Sequence, residues 1–210
     1  MFAMLGSRGE IVRRLAARLT VAAIWLADGV VEGESRRFDR ASLLWIHVHS
    51  PQWLDGPMRI VTALGYYRVV LPLLAAVVYV FFLKGWRLSA TLLLVSTLGG
   101  FLLTTFLKGV FERARPELFD SGYSASFYSF PSGHATAAVG WFARWTVVGV
   151  GVSLVLLIGF SRLYLGVHYP TDVLAGFLAA PLWLIFVGAV YVAWLSVRGL
   201  RAAELRWKDR

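Results

Sequence analysis

The residues of this chain whose types and spacing suit chemistry fall into three short clusters. The first runs from Lys108 through Arg115 to Pro116. The second is Pro131-Ser132-Gly133-His134. The third opens with Ser161-Arg162 and closes with His168 and Asp172. Lys108, Arg115 and Arg162 supply three cations, and a guanidinium is a planar fork that matches phosphate oxygens two at a time. Ser132 reads as the N-cap of a helix, with Gly133 letting a ligand approach the backbone. Free N–H groups at such a helix start, with the helix dipole, favour an anion. Pro170 suits the first turn of a helix and leaves His168 just outside it. Asp172, four residues after His168, can fold back and hold the imidazole in one tautomer. His134 is a second imidazole on the opposite side of the same anion site. Two histidines, one carboxylate and three cations suit phosphoryl transfer through a covalent intermediate.

Taken singly, each cluster is weak. A Lys-to-Arg-Pro spacing or a Ser-Gly-His triplet occurs by chance, a lone Arg near the end of an apolar span usually snorkels to the interface, and a lone His at a helix start is more often a cap. Their order along the chain and their shared face carry the reading. His47 and His49 serve as the control: no cations cluster around them, and they read as interfacial.

The elements that must position these clusters follow from composition. The chain has 210 residues, 58% hydrophobic and 16% charged. A soluble domain is about 25% charged, and a disordered chain is far less apolar. With no Cys, a disulfide scaffold is excluded. Spanning a bilayer takes roughly 20 apolar residues. Segments 88–107 and 173–197 meet this cleanly, 146–166 and 66–83 each carry one Arg near an end, and 15–31 is weaker because Arg18 and Asp28 lie inside it. The run 134–143 is short. It is read as a fourth span continuing to about Trp145, with Arg144 in almost no connection after it. The competing reading is a re-entrant or core helix. Pro72 and Pro181 predict kinks inside two spans. The fold class expected is therefore an all-α membrane protein with six transmembrane helices, forming one membrane-embedded domain over 1–210. Segment 36–65 is amphipathic and is placed on the outer face between helices 1 and 2. No repeat and no cleavable signal peptide is read.

Six spans put the N-terminus, Lys84–Arg87, Arg144 and the C-terminal tail on one face. That face carries twelve basic and three acidic residues, against nine of each on the other, so all of the net charge of +9 lies on it. The positive-inside rule places both termini in the cytoplasm. The excess charge then reports topology, and nucleic acid is not read as a partner. The same parity brings all three clusters to the extracytoplasmic face, although parity was set by length and charge alone. Loop 117–130 carries Phe119, Tyr123, Phe127, Tyr128 and Phe130, and is expected to rest on lipid and border the path of the substrate into the site.

At these residues the sequence resembles the type 2 phosphatidic acid phosphatase superfamily of integral membrane lipid phosphatases. The family's three-part signature is Lys, six residues, Arg-Pro; Pro-Ser-Gly-His; and Ser-Arg, five residues, His, three residues, Asp. It is met at every defining position, and the likeness covers 88–180 well. The resemblance implies that His168 is the nucleophile and forms a phosphohistidine, and that Asp172 orients and charges it. It implies that His134 protonates the leaving group and then activates water. Lys108, Arg115, Arg162, Ser132 and Gly133 bind the phosphoryl oxygens. It implies no metal and no other cofactor, since the two histidines and the aspartate are assigned to other work. The fourth span and its connection are shorter than the family leads one to expect.

The function expected is hydrolysis of a phosphomonoester or diphosphate carried by a membrane lipid, such as phosphatidic acid, phosphatidylglycerol phosphate or an isoprenyl diphosphate. The absence of Cys and the Arg-rich composition fit a bacterial inner membrane, and a chain without Asn has no N-glycosylation acceptor. A phosphotransferase of the same superfamily remains open, because an acceptor alcohol can replace water. A haloperoxidase with a similar site is soluble, which six spans oppose. A lipid-phosphate transporter would want a polar path through the spans, which are nearly free of charge below their outer ends. Oligomeric state is not legible.

Overall fold

In the computed structural model, residues 2–142 and 148–208 are described, with side chains over 9–139 and 151–198. All regular structure among the described residues is helical. The order is α1 (Phe2–Val31), α2 (Arg36–His49), a 3-10 turn at Gln52–Leu54, α3 (Asp55–Ala63), α4 (Tyr67–Leu83), α5 (Arg87–Phe111), α6 (Gly133–Phe142), α7 (Val148–Tyr164) and α8 (Pro170–Lys208). The described residues of each segment expected to span lie largely within one helix. By length and composition α5 is apolar enough to cross a membrane, as is Pro170–Arg198 of α8; the 3-10 turn and α3 (Gln52–Ala63) make a third with α4 if that pair, bent by 43°, counts as one span. Pro181 sits inside α8 without ending it. The end of the short fourth span near Trp145 and the connection at Arg144 lie outside the described residues.

Helix α6 is the hub. It packs against α5, α7 and α8, and Ala135 and Ala138 on it are buried. Small residues let these backbones come close. A Cβ on Gly176 of α8 would lie 2.6 Å from the carbonyl oxygen of Ser132 and 2.8 Å from Cβ of Ala135, so only glycine fits this crossing. Facing outward, Phe101, Leu102 and Phe106 of α5 and Val190 and Val192 of α8 are exposed. A largely apolar surface of this kind suits lipid as its solvent. The hydroxyls of Thr104 and Thr105 donate to carbonyls four residues back, at 2.7 and 2.9 Å, so α5 carries them without unpaired donors.

The segment between α1 and α4 has two faces. Asp39 and Leu43 of α2 and Met58 and Thr62 of α3 are buried, and both helices pack on α7. Met58 joins Tyr164, Leu165 and Val167 in one apolar cluster. Trp45, Trp53 and Ile60 point outward. The amphipathic pattern is thus used against protein on one side.

Candidate active site

Three chain segments meet where α5 ends, α6 begins and α7 turns into α8. Helix α5 stops at Glu112, whose φ of 45° caps it in the left-handed region while its N–H donates to Lys108 O at 3.0 Å. That stop leaves Lys108 on the last turn and sends Arg113 and Arg115 into the following loop. The α7–α8 turn is tight because Gly166 takes φ +64°, and a Cβ there would lie 2.7 Å from the Phe119 ring. This turn buries His168, and Pro170 then starts α8 with Asp172 in its first turn. Ser132 occupies the N-cap position of α6, since its carbonyl accepts the N–H of Thr136 at 3.1 Å. Its own N–H donates to the main-chain oxygen of Asp172 at 2.9 Å, which ties the start of α6 to the start of α8.

The three cations converge without acidic partners. Lys108 Nζ donates to the carbonyls of Tyr128 and Ser129. Arg115 donates to the carbonyls of Val167 (2.6 Å), Phe127 (2.8 Å) and Ser126 (2.9 Å). Arg162, only 1% exposed, donates to the Thr62 hydroxyl at 2.7 Å and lies 5.4 Å from the centre of the Tyr123 ring. Among the described residues none of the three forms an ion pair. Ser132 Oγ, His134 Nε2 and Arg162 Nε are buried without a hydrogen-bond partner. Unpaired buried cations and orphaned polar atoms are costly unless an anion completes them.

The geometry fixes the state of His168. Arg115 Nη1 lies 3.2 Å from His168 Nε2. A guanidinium has only donors, so Nε2 must present its lone pair, and the ring proton resides on Nδ1. Nδ1 lies 3.4 Å from Asp172 Oδ2 and makes no hydrogen bond, with that carboxylate oxygen as its facing acceptor. Burial, and then the charges of Arg162, Arg115 and Lys108, hold the pKa of His168 well below the ordinary imidazole value. The ring is therefore neutral at neutral pH with Nε2 unprotonated, which is the form a nucleophile needs. Burial and Arg162 also lower Arg115, to about 10, so it remains charged.

A cavity of about 1080 Å³ is lined by Lys108, Arg115, Gly133, His134, Arg162 and His168 at one end. Ser132 and Asp172 stand behind this lining. The cavity continues along α5 to Ser96, twelve residues from Lys108 and so roughly 18 Å away along the helix, past Leu98, Phe101, Ala180, Trp183 and Leu184. His134 stacks on Tyr66 with ring centres 6.1 Å apart. Arg68, which reads from sequence as a span-end residue, also lines this cavity. His47 and His49 lie elsewhere: His47 stacks on Phe119, and His49 pairs with the Trp45 carbonyl.

The aromatic loop divides. Phe127 is 86% exposed, whereas Phe130 is buried against Phe111, Phe119 covers Gly166, and Tyr123 faces Arg162. Two charged residues escape the sequence reading altogether. Arg113 and Asp39 form an ion pair at 2.6 Å behind Asp172. Arg113 could have been noticed as a third cation in the first cluster. Asp39 gave no signal, lying among Arg36, Arg37 and Arg40 on a helix that reads as surface. No group of three or more His, Asp or Glu among the described residues is placed to hold a metal ion.

Comparison with known proteins adds to this geometry. Residues 89–196 match the family described as the PAP2 superfamily. The chain is 32% identical over 182 residues to phosphatidylglycerophosphatase B of Bacillus subtilis (strain 168), covering 78% of this chain and 82% of that protein. It is 34% identical over 135 residues to lipid A 1-phosphatase of Rhizobium etli, covering 53% of this chain and 57% of that one. The crystal structure of a transmembrane PAP2-type phosphatidylglycerolphosphate phosphatase from Bacillus subtilis superposes with a TM-score of 0.75 at 26% identity, covering 85% of this chain and 96% of that one.

Proposed function

The chain belongs to the PAP2 superfamily of membrane phosphatases, and from that premise we propose that it hydrolyses the terminal phosphate of a membrane lipid through a phosphohistidine on His168. One observation carries the reading: three cations without acidic partners surround a neutral imidazole whose Nε2 presents its lone pair to Arg115, where a phosphoryl group would replace that contact. Nε2 attacks phosphorus and the bond to the leaving oxygen breaks, while Lys108, Arg115, Arg162, Ser132 and the Gly133 N–H take the charge on the phosphoryl oxygens. Asp172 accepts the Nδ1 proton's hydrogen bond and offsets the positive charge the ring acquires. His134 gives its proton to the leaving oxygen, then takes one from the water that releases inorganic phosphate.

The roughly 18 Å of apolar lining beyond the phosphate end suits a hydrocarbon chain. The substrates in view are phosphatidylglycerol phosphate, phosphatidic acid and isoprenyl diphosphates. Phosphate release from these three in detergent with excess chelator tests the proposal. Turnover of at least one, undiminished by chelator, is the expected result. No release from any, or release only with an added divalent ion, would contradict it.

The same reading takes 1–210 as one domain of six spans in a bacterial inner membrane, with both termini cytoplasmic and the phosphate end of the cavity outside. The one-sided excess of basic residues supports this orientation. Because the chain has no cysteine, a single introduced thiol reports its own side. A thiol at 120 is expected to react with an impermeant reagent on intact cells, and one at 86 only after permeabilisation. The reverse pattern overturns the orientation.

A further inference from the structure

We propose that Arg113 is a positioning residue for the nucleophile: clamped by Asp39, it fixes the Asp172 carboxylate so that one oxygen is held by the guanidinium and the other is left for His168. This inference rests on the reading of His168 as the nucleophile. Arg113 Nη1 donates to Asp172 Oδ1 at 2.6 Å and to the Thr171 hydroxyl at 2.7 Å, and Nη2 donates to Asp39 Oδ2 at 2.6 Å. Its guanidinium lies 4.4 Å from the centre of the Tyr169 ring, so the plane of the fork is fixed as well. Asp39 is fully buried and holds the first turn of α8 by two further bonds, from Thr171 N at 3.1 Å and the Thr171 hydroxyl at 2.8 Å. Asp172 Oδ1 is thereby occupied. Oδ2 accepts the N–H of Tyr169 at 2.8 Å and turns toward His168 Nδ1.

Arg113 differs in kind from Lys108, Arg115 and Arg162. It bridges two carboxylates and does not line the large cavity, so it has no fork free for a substrate phosphate. Two carboxylates and one guanidinium leave one net negative charge behind the imidazole. A ring phosphorylated on Nε2 and protonated on Nδ1 carries one positive charge, which that group offsets. Removing Arg113 would leave two buried carboxylates facing each other, and repulsion would turn Asp172 away from His168. A separate cavity of about 520 Å³, lined in part by Arg36, Arg40, Glu112 and Tyr169, reaches Arg113 without passing the phosphate site.

The test measures kcat, KM and phosphoenzyme formation of the full chain in detergent. Arg113→Lys keeps the charge and loses the fork. It is expected to lower kcat by about 10²-fold, as small misplacements of a reacting group do, with KM within about threefold of wild type. Arg113→Ala is expected to fall further and to recover part of its rate with added guanidinium ion, which a purely structural role would not allow. Asp39→Asn is expected to lose about tenfold in kcat and decides the matter alone if the Arg113 variants do not fold. In an Asp172→Asn background Arg113→Lys is expected to add less than about threefold, because the group it positions is gone. A kcat within twofold of wild type in Arg113→Lys and Asp39→Asn, a rise confined to KM, or a fully multiplicative double variant overturns the proposal. Retained turnover in His168→Ala would instead overturn the nucleophile reading beneath it, whereas an inactive His168→Ala beside an unimpaired Arg113→Lys overturns this inference only.

Discussion

Changing His168 to alanine is expected to abolish acid-labile phosphate on the protein and to lower lipid-phosphate turnover by about 10⁴-fold or more, the scale on which removal of an activated nucleophile or its orienting partner acts. The size follows from the lack of a substitute. His134 lines the same cavity, but no carboxylate stands behind it among its described contacts, and Ser132 Oγ has no base within hydrogen-bonding range. What survives is the anion site, which alone gives modest acceleration. Rapid-quench labelling with a radioactive substrate reads the covalent step directly. Its pH dependence carries a sign. Protonation of Nε2 destroys the nucleophile, so labelling is lost as pH falls through the pKa of His168. Burial and the neighbouring cations hold that pKa well below 6.5. Labelling at pH 6 should therefore match labelling at pH 7. Turnover of His168→Ala within tenfold of wild type, or a labelling rate that halves near pH 6.5, contradicts the assignment.

The second large effect separates the two half-reactions. His134→Ala should slow hydrolysis of a lipid phosphate by roughly 10²–10⁴-fold, the usual contribution of a positioned acid–base. With an aryl phosphate the leaving group needs no proton, so the first step should remain fast. The second step still lacks its base, and phosphoenzyme should accumulate to nearly one equivalent as a burst. The opposite pattern, with no burst on the aryl ester and slow labelling, would place His134 in substrate binding alone. His134 is suited to both roles by its place in the first turn of α6, against Gly65 and Tyr66, where a Cβ on Gly65 would come within 2.9 Å of the imidazole. That packing holds the ring at the cavity wall without tying up Nε2.

The cations and histidines were legible in sequence because their chemistry is scarce in an apolar chain. Every Lys or Arg at a span end stands out, and helical spacing fixes which end each occupies. The order of the helices was legible for the same reason, down to the start of α6 at Gly133. What stayed hidden depends on contacts across long separations. Asp39 meets Arg113 over 74 residues, and Thr62 meets Arg162 over 100. Helical spacing puts Asp39 on the same face as Leu43, and only the packing of that face on α8 gives a carboxylate among apolar residues its reason. The aromatic loop misled in part for a related reason: Phe, Tyr and Trp favour an interface and a protein core alike, and composition cannot divide Phe127 from Phe130. Span count is similarly underdetermined, since α6 contributes only ten described residues and α3 with α4 bends.

The long cavity has a consequence for descent as well as for binding. Its end that carries the cations and histidines is built from residues tied to one another through α6, α8 and the α5 loop, and under the proposed mechanism almost any change there is expected to cost the reaction. Its inner wall is made of ordinary side chains such as Leu98, Trp183 and Leu184, which touch none of the reacting groups. If that wall holds the lipid tail, as proposed, substitutions there are expected to change the tail accepted while leaving the chemistry intact. The phosphatidylglycerophosphatase and the lipid A 1-phosphatase among the relatives, named for two different lipids, are what such uneven constraint would leave behind.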